Sequence, residues 1–363
     1  MQKVGVLLFL ITLLLSLLGV FILYESSSYT AILNIGDRYH FVKNQLMWVG
    51  AGVIVALIIS RLDYKRAYPF ALPFLIGTVV LLIAVFIPGI GLELKGSNRW
   101  IDFGLFVVQP SELLKLSLTM YLAAWLSRKE ENRLVAFLIL FFVCVGLVAM
   151  EPDLGSALVV AIMSVTVYFL AGTKIKEMAI IAGILIIGVI GLIKFEPYRV
   201  ERFMAFRNFD VNDLSTTSYH IRQVLIAVGS GGVTGVGLGN SVQKYAYVPE
   251  NTTDSIFAIY AEETGFLGSL FLLAVIGAQL YLGFLISLRS SDVFGMLFGI
   301  GIVTFLCIQT FLNIGPQVVV VPLTGVPLPF VSYGGSAMII NFAAIGVLLS
   351  IARFSGKGGK RTR

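Results

Sequence analysis

Asp254 stands where a carboxylate is hard to explain as filler. It follows Thr252 and Thr253 and precedes a long apolar run, so it lies at the water-facing end of a hydrophobic helix. Two readings are open. As an N-cap it would accept hydrogen bonds from orphan N–H groups of the first helical turn. As a general base facing a cavity at a membrane boundary, its partial desolvation would make it a stronger base. Both can hold at once. Glu262 lies eight residues on, about 12 Å along a helix at about 1.5 Å per residue, and Glu263 adjoins it. Two glutamates inside an apolar span are costly unless they face a polar interior, so at least one needs a partner, and Lys115 or Arg222 would serve.

Other groups have the chemistry but a plainer use as well. Glu112 and Lys115, in QPSELLK, are three apart and share a helical face. They form either an internal ion pair that orients helices or part of a reactive cavity. In GSNRWIDFG, Arg99 suits a phosphate or carboxylate, while Trp100 suits a sugar face or the interfacial aromatic belt. Arg199, Arg202 and Arg207 alternate with aromatic and apolar residues, as in an amphipathic helix lying on lipid or lining a groove for a pyrophosphate. The glycine-rich GSGGVTGVGLGNS follows no strand, so it reads as outer-loop packing and not as a nucleotide loop. In EPDLGSA, Asp153 reads as an N-cap. His40 and His220 are not clustered with cysteines, so no zinc site is readable.

These residues sit in a greasy frame. Of 363 residues, 58% are hydrophobic and 13% charged, with a mean hydropathy of +0.93, which excludes an ordinary soluble enzyme. Runs long enough to cross a core of about 30 Å recur throughout, and alternating strand patterns are missing, which argues against a barrel. Spans are expected near Gly5–Leu23, Phe41–Ser60, Ala71–Ile90, Ser111–Ser127, Leu134–Met150, Leu154–Gly172, Met178–Ile193, Ser255–Leu288, Val293–Ile314 and Gly335–Arg353. The chain therefore reads as all-α, a single integral membrane domain over 1–363 with about ten transmembrane helices. The eighth run exceeds what a bilayer needs, so it should tilt, kink or project. Cys144 and Cys307 both fall in apolar runs and imply no disulfide.

Basic residues set the expected orientation, because Lys and Arg accumulate in cytoplasmic loops. Fifteen of the 26, from Lys3 and Arg61 to Lys357, Lys360, Arg361 and Arg363 in the tail, fall on one side, which puts both termini in the cytoplasm. The net charge of +6 then reflects topology and a basic cytoplasmic tail, 354–363, near anionic membrane lipids, not nucleic-acid binding. Outer loops follow at Tyr24–His40, Gly91–Pro110, Lys194–Thr253 and Gly315–Tyr333, the largest extracytoplasmic loop spanning 194–254 between helices 7 and 8. The inner connections are too short for a nucleotide-binding domain, which argues against an ATP-driven pump.

Taken together, GSNRWIDFG, QPSELLKL, EPDLGSALV, YHIRQVLIAVGSGGVTGVGLGNSVQK, PENTTDSIFAIYAEETGFLG and LTGVPLPFVSYGGS resemble the SEDS family (shape, elongation, division and sporulation). These are polytopic peptidoglycan polymerases typified by RodA and FtsW. The six segments occur in family order over almost the whole chain, and GLGNSVQK leans towards the FtsW-like division branch. The resemblance implies a SEDS-type fold in the bacterial cytoplasmic membrane and a glycosyltransferase that polymerises lipid II at its outer face, releasing undecaprenyl pyrophosphate. It makes Asp254 the catalytic base and Trp100, Lys115, Glu112, Glu262 and Glu263 candidates for the cavity. Arg99, Arg222, Gln223 and Lys244 become candidate substrate contacts, and Ser332 part of the loop that shapes the wall. It further implies a class B penicillin-binding protein (a transpeptidase) and divisome or elongasome proteins as partners, with a divalent cation, Mg2+ or Mn2+, beside the pyrophosphate. No organic cofactor is implied. Three departures stand out: Thr252 and Ser255 replace the histidine and phenylalanine common in the family, and Pro316, Gln317 and a run of valines follow Gly315 where a VTG-like step is common. A lipid II flippase and a noncatalytic scaffold for a transpeptidase are the rival readings.

Overall fold

The computed structural model describes residues 1–355 except 95, 96, 105, 129, 131, 196–199, 201, 203, 205, 208–215 and 246; the tail beyond 355 and Arg199 lie outside the described residues. The chain is a helical bundle. Its helices are α1 (Gln2–Ile35), α2 (His40–Arg61), α3 (Ala71–Ala84), α4 (Pro110–Leu126), α5 (Leu134–Met150), α6 (Leu154–Leu170) and α7 (Ile175–Phe195), followed by α8 (Thr216–Ser230), α9 (Ile256–Leu288), α10 (Val293–Gln317) and α11 (Gly335–Phe354). The ten apolar runs fall on every helix but α8. Among the described residues six spans are long and apolar enough to cross a membrane on length and composition: α1, α2, α9, α10, α11 and the run Tyr64–Ala84 that ends with α3. The protein is a multi-pass membrane protein. α10 and α11 are the most enclosed of the six, and α10 packs on α4, α6 and α9 while α11 lies along α2.

Three expectations change. α1 does not stop at Leu23: its helix continues to Ile35 and takes up most of the expected loop Tyr24–His40. Ser26, Ser28 and Thr30 turn their hydroxyls back to carbonyls three or four residues earlier, so a polar run stays helical. Gly36, at φ 81°, closes the helix, its N–H donating to Ala31 O and Ile32 O. The loop Gly91–Pro110 is not irregular. It folds into an antiparallel meander, β1 (Gly91–Leu94), β2 (Ser97–Asp102) and β3 (Val107–Val108), with Leu92 opposite Trp100 and Ile101 opposite Val108. Ser336 at the start of α11 anchors it, donating to Val107 O (2.8 Å) and accepting from Gln109 N (3.2 Å).

The third concerns the glycine-rich segment: α9 kinks, one of the outcomes its excess length allows, and the segment is built into the kink. Gly265 has φ 66° and ψ −162°, so the helical ladder breaks there. The glycine-rich segment fills the break. Val236 N and Gly237 N donate to the freed carbonyls of Glu262 (3.0 Å) and Glu263 (3.1 Å), while Phe266 N and Leu267 N donate to Gly232 O (2.9 Å) and Val233 O (3.1 Å). In hydrocarbon or protein interior such groups must be satisfied, and the loop satisfies them from both sides. Its glycines permit the approach: a Cβ on Gly235 would lie 2.1 Å from Glu263 O. The loop is thus a fixed part of the helix, not flexible packing.

Candidate active site

The segment that delivers Asp254 to α9 is held at three successive carbonyls. Tyr333 N donates to Thr252 O (3.0 Å), and Ser332 Oγ to Thr253 O (2.6 Å). Asp254 O receives Asn313 Nδ2 (3.1 Å) and Gln317 Nε2 (2.8 Å). Ser332 is itself buried and braced, accepting from Leu328 N (2.8 Å) and, through its carbonyl, from Gln45 Nε2 (3.0 Å). Ser255, not Asp254, occupies the N-cap position and makes no side-chain cap bond. The side chain of Gln317 does that work from α10, accepting from Ala258 N at 2.7 Å. The Asp254 side chain is half-buried and faces Gly325, where a Cβ would lie 3.5 Å from Oδ2.

Gln309, Asn313 and Gln317 follow one another every four residues, a single polar stripe on an apolar helix. The stripe ties two layers together. Its outer members grip Asp254. Gln309 accepts from Lys115 Nζ (2.9 Å) and donates to Pro327 O (3.2 Å), and Lys115 pairs with Glu112 at 2.7 Å. Lys115 and Glu112 are almost wholly buried, so the ion pair is matched inside the bundle and Glu112 Oε2 keeps no hydrogen-bond partner. Asn313 Nδ2 also donates to Val326 O (2.8 Å), so the loop Thr324–Val326 is hung from α10. On its other side that loop meets the start of α6: a Cβ on Gly155 would lie 2.2 Å from Val326 and 2.8 Å from Thr324 O. Asp153 caps α6 as its sequence suggests, accepting from Ser156 N (3.0 Å), and Gln109 Nε2 reaches it at 3.3 Å.

Glu262 and Glu263 have a different partner from the one expected. Neither turns to Lys115 or Arg222 among the contacts described. Glu262 accepts from Ser241 Oγ (2.5 Å) and Val242 N (3.1 Å), and Glu263 pairs with Lys244 at 3.0 Å. Lys244 also bonds Glu25 on α1 (3.1 Å) and Gly239 O (2.8 Å). Burial opposes its charge, but Glu263 and Glu25 outweigh that and hold it above the usual lysine range. This cluster locks the glycine loop onto the broken helix. The cation that pairs with Glu263 comes from 19 residues upstream in the folded-back loop, which helical spacing cannot reveal.

Arg99 points its guanidinium at backbone, Nε to Glu151 O (3.0 Å) and an Nη to Pro152 O (2.6 Å). It braces the turn between α5 and α6. Glu151, beneath it, is fully buried with neither carboxyl oxygen hydrogen-bonded. Burial, helped by the charge of Asp153 and opposed by Arg99, pushes it up to about 9, so it is a neutral acid at pH 7. Trp100 is half-buried on β2. Arg222 lies over the Tyr219 ring, 5.6 Å from its centroid, and Gln223 is on the buried face of α8. Arg202 reaches Leu323 O (3.2 Å), which fastens the long loop to the segment before Gly325. Thus Asp254 and Ser332 meet in one site with the Glu112–Lys115 pair linked beneath it through Gln309, while Glu262, Glu263 and Lys244 form a second cluster. Among the described residues there is no group of three or more His, Cys, Asp or Glu that could hold a metal ion.

Bundle, sheet and clamped aspartate define a class: a multi-pass helical membrane protein with an aspartate held by its backbone at the end of a glycine-spliced helix. The family model described as cell cycle protein, for FtsW, RodA and SpoVE, matches residues 6–357, and the chain belongs to this family. It is 37% identical over 355 residues to stage V sporulation protein E of Bacillus subtilis (strain 168), covering 96% of this chain and 97% of that one. It is 34% identical over 357 residues to a probable peptidoglycan glycosyltransferase FtsW of Geobacter metallireducens, covering 97% and 95%. A chain of a solved peptidoglycan synthase complex, described as coordinating polymerization and crosslinking, superimposes with a TM-score of 0.79 at 26% identity, covering 97% and 98%. The rod shape determining protein RodA of Thermus thermophilus gives 0.71 at 26% identity, covering 96% of each chain.

Proposed function

We propose that this chain is a peptidoglycan glycosyltransferase that polymerises lipid II at the outer face of the bacterial cytoplasmic membrane. The observation that carries the reading is Asp254, held at the end of α9 by donors to three successive carbonyls with its carboxylate turned to Gly325. Relatives named as peptidoglycan glycosyltransferases, similar over nearly the whole chain, supply the substrate class. Asp254 takes the proton of the 4-hydroxyl on the acceptor N-acetylglucosamine. That oxygen attacks the donor anomeric carbon opposite the pyrophosphate, the bond to the pyrophosphate breaks, and undecaprenyl pyrophosphate leaves with the electron pair. The product is a β linkage by inversion.

The proposal includes a class B penicillin-binding protein as partner, supported by similarity to a chain of a complex that couples polymerization to crosslinking. The test is glycan formation from purified lipid II by this protein with its cognate partner, with moenomycin silencing other polymerases. Wild type is expected to make polymer and Asp254→Asn none. Equal polymer from both removes Asp254 as the base, and none from a folded, partner-bound wild type shifts the assignment to a flippase or scaffold.

A further inference from the structure

The grip on Asp254 described so far comes from α10 and from the loop before α11. A further contact comes from α8. His220 Nε2, on α8, lies 2.7 Å from Ser255 Oγ. Ser255 is the next residue after Asp254, is almost wholly buried and begins α9, and its N–H donates to Glu250 O (3.1 Å). The peptide joining Asp254 to Ser255 therefore has its carbonyl pulled towards α10 by two amides and the adjoining hydroxyl held towards α8 by an imidazole. The charged groups facing His220 are Glu250 and Arg202. Burial pulls the ring down to about 4, with Glu250 opposing that and Arg202 adding to it. A neutral imidazole can either donate to or accept from a hydroxyl, so the pair is satisfied in either tautomer.

We infer that His220 is a positioning residue for the base: through Ser255 Oγ it fixes the rotation of the Asp254–Ser255 peptide and so the direction in which the Asp254 carboxylate points. The inference rests on the polymerase reading above. A base must come within about 2.6–3.2 Å of the proton it takes, and an error of about 1 Å in such a group costs on the order of a hundredfold in rate. The Asp254–Ser255 peptide is held at its carbonyl by two amides and at its N–H by Glu250 O. His220 adds a hold on the Ser255 side chain, which ties this peptide to α8 as well. Because α8 belongs to the long loop, the same bond ties that loop to the base.

The role is specific to one ring nitrogen, and this makes it separable from packing. Glutamine carries its amide at nearly the reach of Nε2, whereas leucine fills similar space with no polar atom. The full-length protein with its partner would be assayed on lipid II as wild type, His220→Leu, His220→Gln, Ser255→Ala and the double variant His220→Leu with Ser255→Ala. Asp254→Asn runs alongside. His220→Leu is expected to lower kcat roughly ten- to a hundredfold with KM unchanged, as for a group acting only on the reacting geometry. His220→Gln should restore most of the loss. The double variant should be no worse than either single change, because both remove one bond. Wild-type kcat in folded His220→Leu, failure of glutamine to rescue, or additive losses in the double variant would each overturn the inference. Should His220→Leu not fold, Ser255→Ala decides alone, since it deletes the same bond with the loss of one oxygen. A folded Ser255→Ala with full turnover sinks the idea. An inert wild type, or an active Asp254→Asn, is instead a failure of the polymerase reading, so the two are told apart.

Discussion

At the residue scale, two side-chain amides on one carbonyl restrict how the Asp254 backbone turns and share in aiming it. Asn313 serves two carbonyls at once, Asp254 O and Val326 O. Asn313→Leu keeps a similar volume but leaves Val326 O without that donor and Asp254 O with Gln317 alone. An unpaired buried polar group costs about 1–3 kcal/mol. The variant is expected to lose that much stability, read as a lower thermal midpoint in detergent, and to lose turnover as well; full turnover would show that the second amide is dispensable. Glu151 makes a pH-dependent case. An unfolded glutamate ionises near the ordinary value of 4.5, whereas burial keeps the folded one protonated to about 9. Between these values the folded state binds the extra proton, so stability falls as pH rises, by at most about 1.4 kcal/mol per unit, and levels off above 9. Glu151→Gln has no proton to lose. Its midpoint should match wild type near pH 5 and exceed it at pH 8, and parallel curves for the two proteins would mean that Glu151 ionises normally.

At the element scale the break in α9 does the organising. Gly265 holds φ 66° with ψ −162°, a backbone region essentially reserved for glycine, and a Cβ there would lie 2.3 Å from Gly235 N. Gly265→Ala must therefore either close the break or expel the loop. Its expected cost is more than about 1–3 kcal/mol, read as loss of folded protein on size exclusion. Gly277→Ala, twelve residues along the same helix with open space around it, should be neutral or slightly stabilising. Equal behaviour of the two variants would remove the splice as a source of stability. The pair also shows what a sequence can disclose. Excess length of the eighth run predicts a kink, but Gly265 and Gly277 look alike in one dimension, and only the glycine loop some thirty residues upstream distinguishes them. Ten apolar runs, the Asp153 cap and the exceptional position of Asp254 were legible, because each depends on near neighbours. The partner of Glu263 was not, since Lys244 arrives by a chain reversal. Ser26, Ser28 and Thr30 read as loop because polarity alone does not disclose that their hydroxyls bond back to earlier carbonyls. The Gln309, Asn313 and Gln317 stripe was missed, and nothing local says which carbonyls those amides meet.

For the whole molecule, the structure sorts the charges into two ends that can be assigned to sides of a membrane. Gln2, Ser60 and Arg353 line one groove, so the start of α1 and the ends of α2 and α11 share an end; Arg61 closes α2 there. The other end of α1 carries Glu25 to Lys244 and so to the glycine loop, beside the residues that lead to Asp254. The rule that basic residues stay in the cytoplasm predicts the first end inside and the site outside, as the proposed polymerisation of lipid II requires. This orientation is testable by side-specific labelling. Cys144 is buried and Cys307 exposed on α10, so a Cys307→Ser background leaves little reactive thiol. Leu238→Cys places a thiol on the exposed glycine loop, and Arg353→Cys places one at the basic end. A membrane-impermeant maleimide should label the first in intact spheroplasts and the second only after permeabilisation. The reverse pattern would put Asp254 on the cytoplasmic side, where glycan strands cannot be laid into a wall, and would end the polymerase reading even if every contact around the aspartate were correct.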